Sequence, residues 1–296
     1  MAGRLKDKIA VITGACSGIG LGTLELFVEE GAVVLAADIQ DEYGKQLEAR
    51  FKDKVRYAHC DVTKPDEIKA AIDLAASHFG GLDILYNNAG AAGAPGGLED
   101  FTLEEWDQTF ALLMRSVVAG TQFAIPHMKA RGGGAIVNTS SISALASGYA
   151  PVAYSTAKAG VLHFTKVAAA NLAIHKIRVN AVIPGFIATS IFGSALGMTR
   201  EGAVQFAAQM AERAAKIQPA GRAGQPRDIG EAVVYLSSDA AQFVTGTSIL
   251  VDGGLTIGTR ASWDPEASGP MMDILGLTPE QMQAMNATMA AARKAG

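Results

Sequence analysis

Two side chains four residues apart, Tyr154 and Lys158, carry the most definite chemistry in this sequence. On a helix they lie one turn apart on one face. A phenol is a weak base at neutral pH, because its free pKa is about 10. An ammonium within a few ångströms favours the phenolate and lowers that value. A tyrosine tuned in this way takes a proton from an alcohol or returns one to a ketone oxygen. A serine hydroxyl can hold the same oxygen, and Ser140-Ser141 stand a short way upstream. Alone, Tyr-x-x-x-Lys is a common accident of helical spacing, so its meaning depends on its company.

That company is a series of strands and helices able to hold a nucleotide beside the tyrosine. Lys8 to Thr13 reads as a buried strand, followed by the turn Thr13-Gly14-Ala15-Cys16-Ser17-Gly18-Ile19-Gly20 and a helix to about Glu30. Glycines let a backbone approach a phosphate closely, and a helix N-terminus adds N–H donors and positive potential. The spacing is G-x-x-x-G-x-G, distinct from the commoner G-x-G-x-x-G. A second strand, Ala32 to Asp38, ends in an acid 18 residues after Gly20. A carboxylate at that offset accepts hydrogen bonds from an adenosine ribose and repels a 2′-phosphate, which points to NAD as cofactor. The third strand, Val55 to His59, leads to Asp61 and Val62, where Asp61 either touches an adenine edge or caps the next helix, 65–79. Leu82 to Tyr86 is the fourth strand and ends in Asn87-Asn88-Ala89-Gly90, whose amides can bridge neighbouring strands and contact a ribose.

The remaining pattern continues the alternation. A long helix spans 103–130, a strand Ala135 to Ser140, a helix Ala153 to Ile174 and a strand Ile177 to Ile183. Residues 190–218 read as a mobile helical lid, 227–237 as a helix and Ser248 to Val251 as a last strand. Strands alternating with helices make the expected fold class α/β, with a C-terminal helical extension. Residues 1–257 form a single domain in this reading and 258–296 the extension. In the extension, Thr278-Pro279-Glu280-Gln281 is a helix start, with Thr at the cap, Pro at the first position and Gln at the third. Met282, Met285 and Met289 then form an apolar stripe. Either this helix packs on its own or a neighbouring subunit, or Met271, Met272, Ile274 and Leu275 ahead of it help close a substrate pocket.

In this order TGACSGIG, Asp38, NNAG and Ser-x12-Tyr-x3-Lys resemble the short-chain dehydrogenase/reductase family, over residues 5 to about 256. The resemblance implies a doubly wound, Rossmann-type parallel sheet of seven strands with helices on both faces, and hydride transfer to or from a nicotinamide dinucleotide, bound by Gly14, Ser17, Gly18, Ile19, Gly20, Asp38, Asp61, Val62, Asn88, Ala89 and Gly90. It implies Ser141, Tyr154 and Lys158 as the catalytic set, with Ser140 and Ser143 as fallbacks for the serine, and Lys158 also on the nicotinamide ribose. The turn Pro184-Gly185-Phe186-Ile187-Ala188-Thr189 then lies beside the nicotinamide, with Ile187 and Thr189 on its carboxamide. A homotetramer, or a homodimer, follows from the same likeness. One departure stands out. Family members usually carry an Asn in the middle of the 103–130 helix to order a relay water, and this sequence has Leu113 there. A backbone carbonyl at Leu113, or Gln108, would have to serve. The rival readings are a non-catalytic NAD-binding or scaffold protein of the same fold, a subunit active only with a partner chain, and a family enzyme of another reaction type such as an epimerase or enoyl reductase. The glycine and tyrosine spacings argue against the last.

Composition narrows the partners. The chain has 296 residues, 49% apolar and 18% charged, with a net charge of -4 and no basic run. That excludes strong affinity for nucleic acid or an anionic membrane surface. No apolar run reaches the roughly 18 residues that a membrane span needs. Met1 to Lys6 runs straight into a strand without a signal-peptide pattern, and Cys16 and Cys60 suggest neither a disulfide nor a metal set, which suits a cytoplasmic protein. The five histidines lack metal-ligand spacing. The segments expected around the reacting carbon, 86–98, 140–157 and 184–199, contain no Asp, Glu, Lys, Arg or His. They supply Leu145, Tyr149, Phe186, Ile191, Phe192, Leu196 and Met198. Burying an unpaired charge is costly, so the expected substrate is a neutral, fairly apolar secondary alcohol or ketone: cyclic, aromatic, terpenoid or steroid-like.

Overall fold

A computed structural model describes residues 3–295. Met1 and Ala2, where the leaderless N-terminus was expected to begin, and Gly296, at the end of the extension, lie outside them. Seven strands form one sheet: β1 (Ile9–Thr13), β2 (Val33–Asp38), β3 (Val55–His59), β4 (Ile84–Asn87), β5 (Gly134–Thr139), β6 (Ile177–Pro184) and β7 (Ser248–Val251). They lie in the order β3-β2-β1-β4-β5-β6-β7, all parallel. The central strands are continuous apolar runs because helices cover both faces.

Helices α1 (Gly18–Glu29), α2 (Asp41–Phe51) and α9 (Pro226–Ser237) pack one face around Leu24, Phe27, Ile12 and Val233. Helices α3 (Pro65–Phe79), α5 (Ser116–Ala130) and α6 (Val152–Leu172) cover the other around Ile72, Leu85, Ile136 and Ala168. The strand order reverses between β1 and β4. In doubly wound sheets ligands bind at that reversal, beyond the carboxyl ends of the strands. Register brings those ends level: Thr13 pairs with Ala37, Ile12 with Tyr86, and Asn87 with Asn138.

The helix expected over 103–130 is three pieces: α4 (Leu103–Phe110), a π turn at Ala111–Arg115, and α5. A π turn inserts one residue into the helix and is a frequent mark of functional sites. Leu113 sits in it, fully buried. Beyond β6 come α7 (Ile191–Ala195) and α8 (Arg200–Ala214). Helix α8 buries only Ala203, Ala207 and Ala214 and packs chiefly on α7.

The extension holds α10 (Pro270–Leu275) and α11 (Pro279–Ala295). The expected helix start is present: Gln281 N–H donates to Thr278 Oγ1 at 3.3 Å, and Thr278 N–H donates to Gln281 Oε1 at 2.8 Å. Met271, Ile274 and Leu275 are exposed, Met272 is half-buried, and Met285 and Met289 are exposed as well. Among the described residues no helix is long and apolar enough to cross a membrane.

Candidate active site

Lys158 is the most constrained side chain of the site. It is 3% exposed, and its Nζ donates to the Thr139 carbonyl at 2.8 Å. Ser140 Oγ donates to the Lys158 carbonyl at 2.8 Å, so the end of β5 and the second turn of α6 are tied at two points. Burial disfavours the ammonium form and pushes Lys158 down to about 8. A Cβ on Gly90 would lie 3.0 Å from Leu113 Cδ2 and 3.8 Å from Lys158 Nζ, so both side chains flank the same glycine.

Tyr154 lies one turn before Lys158, whose Nζ is 5.6 Å from the centre of the phenol ring. Burial raises the Tyr154 pKa, and the Ser141 hydroxyl beside it pulls the other way. Here the structure differs from the sequence expectation of a phenol held down by its lysine. Burial is the larger cause at Tyr154, and Lys158 is itself desolvated and donates to a carbonyl. Ser141 Oγ accepts a hydrogen bond from Ser143 N–H at 3.2 Å, which leaves its own proton free to donate. Ser140, by contrast, spends its proton on Lys158, and Ser143 Oγ is buried without a partner. Of the three serines, Ser141 is the one beside the phenol with a donor to spare.

The phosphate-turn residues gather at the reversal point. Gly20 is packed so closely that a Cβ there would lie 1.9 Å from the Gly14 carbonyl oxygen, and one on Gly14 would lie 2.9 Å from Ala89 Cα. Ser17 caps α1 without a side-chain bond, and no acid stands in the first turn of Gly18, Ile19 and Gly20. The first amides of α1 therefore remain available to an anion, which fits a dinucleotide pyrophosphate. Asn88 fastens the turn: its Nδ2 donates to the Thr13 and Gly14 carbonyls at 3.0 and 3.3 Å, and Ala89 N–H donates to Thr13 Oγ1 at 3.0 Å.

Asp38 is 5% exposed. Its Oδ2 accepts Cys16 N–H at 2.8 Å and its Oδ1 accepts Gln40 N–H at 3.0 Å and Gln40 Nε2 at 3.2 Å. The carboxylate is thus aimed by backbone donors, with acceptor capacity left for a ribose hydroxyl. Burial, with Asp38 next in effect, pushes the Cys16 thiol up to about 12, so it serves packing. Asp61 Oδ1 accepts Thr63 N–H at 3.0 Å and Thr63 Oγ1 at 2.7 Å, and Val62 is buried. Asp61 does not cap α3, whose cap position is Lys64 without a side-chain cap bond; its bonds close the turn ahead of that helix.

The turn after β6 closes over the glycine turn. Gly185 approaches Asp252 so closely that a Cβ would lie 2.6 Å from Asp252 Cα, and Pro184 precedes it at the end of β6. Ile187 is buried and bridges to Gly224, while Thr189 packs 3.3 Å from where a Gly18 Cβ would be. Phe186 and Phe192 stack with ring centres 5.0 Å apart, next to half-buried Ile191. Tyr149 is exposed. Leu145 lines a surface groove with Leu162, Lys166 and Thr247, on the β7 side. The sequence reading missed Thr139, Gln40 and Tyr43. Thr139 acts through its carbonyl and leaves no side-chain signal.

A Tyr-Lys pair on α6 beside the end of β5 and a glycine turn after β1 thus stand on one doubly wound sheet, the frame of an oxidoreductase, and the similar proteins are named for that class. Residues 14–256 match a family model described as enoyl-(acyl carrier protein) reductase. The chain is 40% identical over 258 residues to a momilactone A synthase from Oryza sativa subsp. japonica, covering 86% of this chain and 92% of that one. It is 37% identical over 266 residues to a 3-alpha-(or 20-beta)-hydroxysteroid dehydrogenase from Mycobacterium bovis, covering 87% and 93%. A solved short-chain type dehydrogenase/reductase from Mycobacterium marinum superposes with a TM-score of 0.76 at 32% identity, over 86% of this chain and 97% of that one. The chain belongs to the short-chain dehydrogenase/reductase family. Dehydrogenases of this family use a nicotinamide cofactor, NAD or NADP.

Proposed function

We propose that this chain transfers a hydride reversibly between NAD(H) and a neutral, fairly apolar secondary alcohol or ketone. The observation that carries the reading is the assembly at the end of β5, where a serine with a free donor, a tyrosine and a carbonyl-anchored lysine converge. In oxidation, Tyr154 Oη takes the hydroxyl proton while Ser141 Oγ–H holds the substrate oxygen as charge develops on it. In reduction, Tyr154 returns the proton to the same oxygen. Lys158 fixes the tyrosine helix against β5 and would hold the ribose next to the nicotinamide. A bound nicotinamide dinucleotide supplies the hydride acceptor or donor.

Asp38 supports NAD over NADP, because a 2′-phosphate would meet a carboxylate that Cys16 and Gln40 hold in place. The uncharged segments around Tyr154, with the stacked Phe186–Phe192 pair, support an apolar skeleton. A relative named for hydroxysteroids suits a cyclic one. A scaffold without activity, suggested by Leu113, has less behind it, since the serine, tyrosine and lysine are all in place and the relatives carry enzyme names.

The reading includes assembly into four copies, or two. Edge strand β7 leaves Leu250 exposed with its outer backbone unpaired, and Phe243 nearby is fully exposed. Such an edge invites a second chain. Light scattering on the purified protein tests this, and a monomer at micromolar concentration would refute it. Activity is tested by dinucleotide reduction with NAD+ or NADP+ across cyclic and acyclic, neutral and charged secondary alcohols. Turnover preferring NAD+ and neutral ring alcohols is expected. Silence across the panel despite tight NADH binding would overturn the reading.

A further inference from the structure

Arg200, the first residue of α8, reaches across to the opposite end of the cofactor turn. Its Nη1 donates to Gln40 Oε1 at 2.5 Å and its Nη2 to the Cys16 carbonyl at 3.1 Å. Its guanidinium carbon lies 3.5 Å from the centre of the Tyr43 ring, so the planar cation also stacks on α2. These partners are 160 and 184 residues away in sequence for Gln40 and Cys16. They are the groups that aim Asp38: Cys16 N–H and Gln40 Nε2 both donate to its carboxylate. A closed ring of contacts therefore runs from Asp38 through Cys16, Arg200 and Gln40 back to Asp38.

The segment that carries Arg200 has little else to hold its outer end. Neither apolar core contains a residue from 190–218. The segment is anchored at its two roots, by Thr189 against the glycine turn and by Gln218 Nε2 on the Phe186 carbonyl at 3.1 Å. Between those roots Arg200 grips a different part of the domain with two hydrogen bonds and a stack. A two-point guanidinium fork is geometrically exacting, and a lysine does not reproduce it.

We propose that Arg200 is a latch that fastens the α7–α8 segment to the rim of the adenosine pocket, so that a bound dinucleotide leaves only when this contact opens. Arg200 is a positioning residue in this scheme. It holds the segment and the Gln40–Asp38 pair while Tyr154 and Ser141 do the proton chemistry. The inference rests on the dinucleotide reading above and adds a release step gated from the adenosine end.

The test combines NADH release, followed by stopped-flow fluorescence, with hydrogen exchange of residues 191–214 in the free and NADH-bound protein. Arg200→Ala should speed NADH dissociation by about tenfold or more, the loss expected for hydrogen bonds from a charged group, with association changed far less. It should also raise exchange across 191–214 in the free protein. Arg200→Lys should fall between the two. Unchanged exchange in Arg200→Ala would overturn the latch, and faster exchange with unchanged NADH dissociation would overturn its coupling to the cofactor. A wild-type chain that binds no NADH would overturn the dinucleotide reading, and the coupling with it. That failure is distinct, because the free-protein exchange still reports on the tether.

Discussion

Lys158 Nζ and the Thr139 carbonyl, 2.8 Å apart, join the helix that carries the tyrosine to the strand that precedes the serine. The bond spans 19 residues and sits in a dry pocket where the ammonium is penalised. It makes Lys158 a structural group as well as a chemical one, and its protonation reports on both.

Lys158 falls from its ordinary 10.5 to about 8 on folding. Between those values the unfolded chain binds more protons than the folded one, so this group's contribution to stability rises with pH across the window. Below about pH 8 its full penalty applies; above about 10.5 the penalty is gone. The difference in unfolding free energy between wild type and Lys158→Met should therefore shift in favour of wild type by about 3 kcal/mol from pH 7 to 10.5. Parallel denaturant titrations at several pH values measure it, and a flat difference would contradict the buried-lysine account.

Tyr154→Phe removes one hydroxyl and leaves the ring packing in place. Turnover should fall by about 10²–10⁴-fold, the range for a lost general acid/base, while NADH affinity stays within about twofold. Retained turnover would remove Tyr154 from the proposed mechanism.

Asp38→Ser shortens the carboxylate to a neutral hydroxyl beside Cys16 and Gln40. The ratio of kcat/KM for NADP+ over NAD+ should rise by at least about tenfold, equivalent to 1.4 kcal/mol. Cys16 N–H loses its acceptor, so a modest drop in Tm accompanies the change. An unaltered ratio would show that another group sets cofactor choice.

Leu113→Ala tests the residue that stands where an asparagine was expected. Leu113 is fully buried, and its truncation should cost about 2–5 kcal/mol by leaving a cavity. The cavity opens beside Gly90 and Lys158, so water entering it should also move the Lys158 titration back toward its ordinary value. Calorimetry reads the first effect and the pH dependence of stability reads the second.

The strands, the reversal point and the glycine turn were legible because each depends on local composition: apolar runs of strand length, glycines where a Cβ has no room, an acid at a fixed offset. Tyr154 and Lys158 stood out by their spacing, and Ser141 only through the family resemblance. The π turn was not, since Ala111–Arg115 continues the apolar pattern of a helix and the change is one of backbone pitch. The Arg200 contact was invisible too, because nothing at position 200 announces partners at 16, 40 and 43. The rise in the Tyr154 pKa also escaped, as spacing reveals a neighbouring charge but not how dry the space around it is.

The strand order reverses between β1 and β4, and Asn88 pins that seam to Thr13 and Gly14. Asp38, Cys16 and Gln40 fall on one side of the seam; Ser141, Tyr154 and Lys158 fall on the other. The protein is therefore modular for an engineer. On the function proposed above, redesign at 16, 38 and 40 would exchange the nicotinamide carrier and redesign at 186–192 would admit a new skeleton, each leaving Ser141, Tyr154 and Lys158 as they stand.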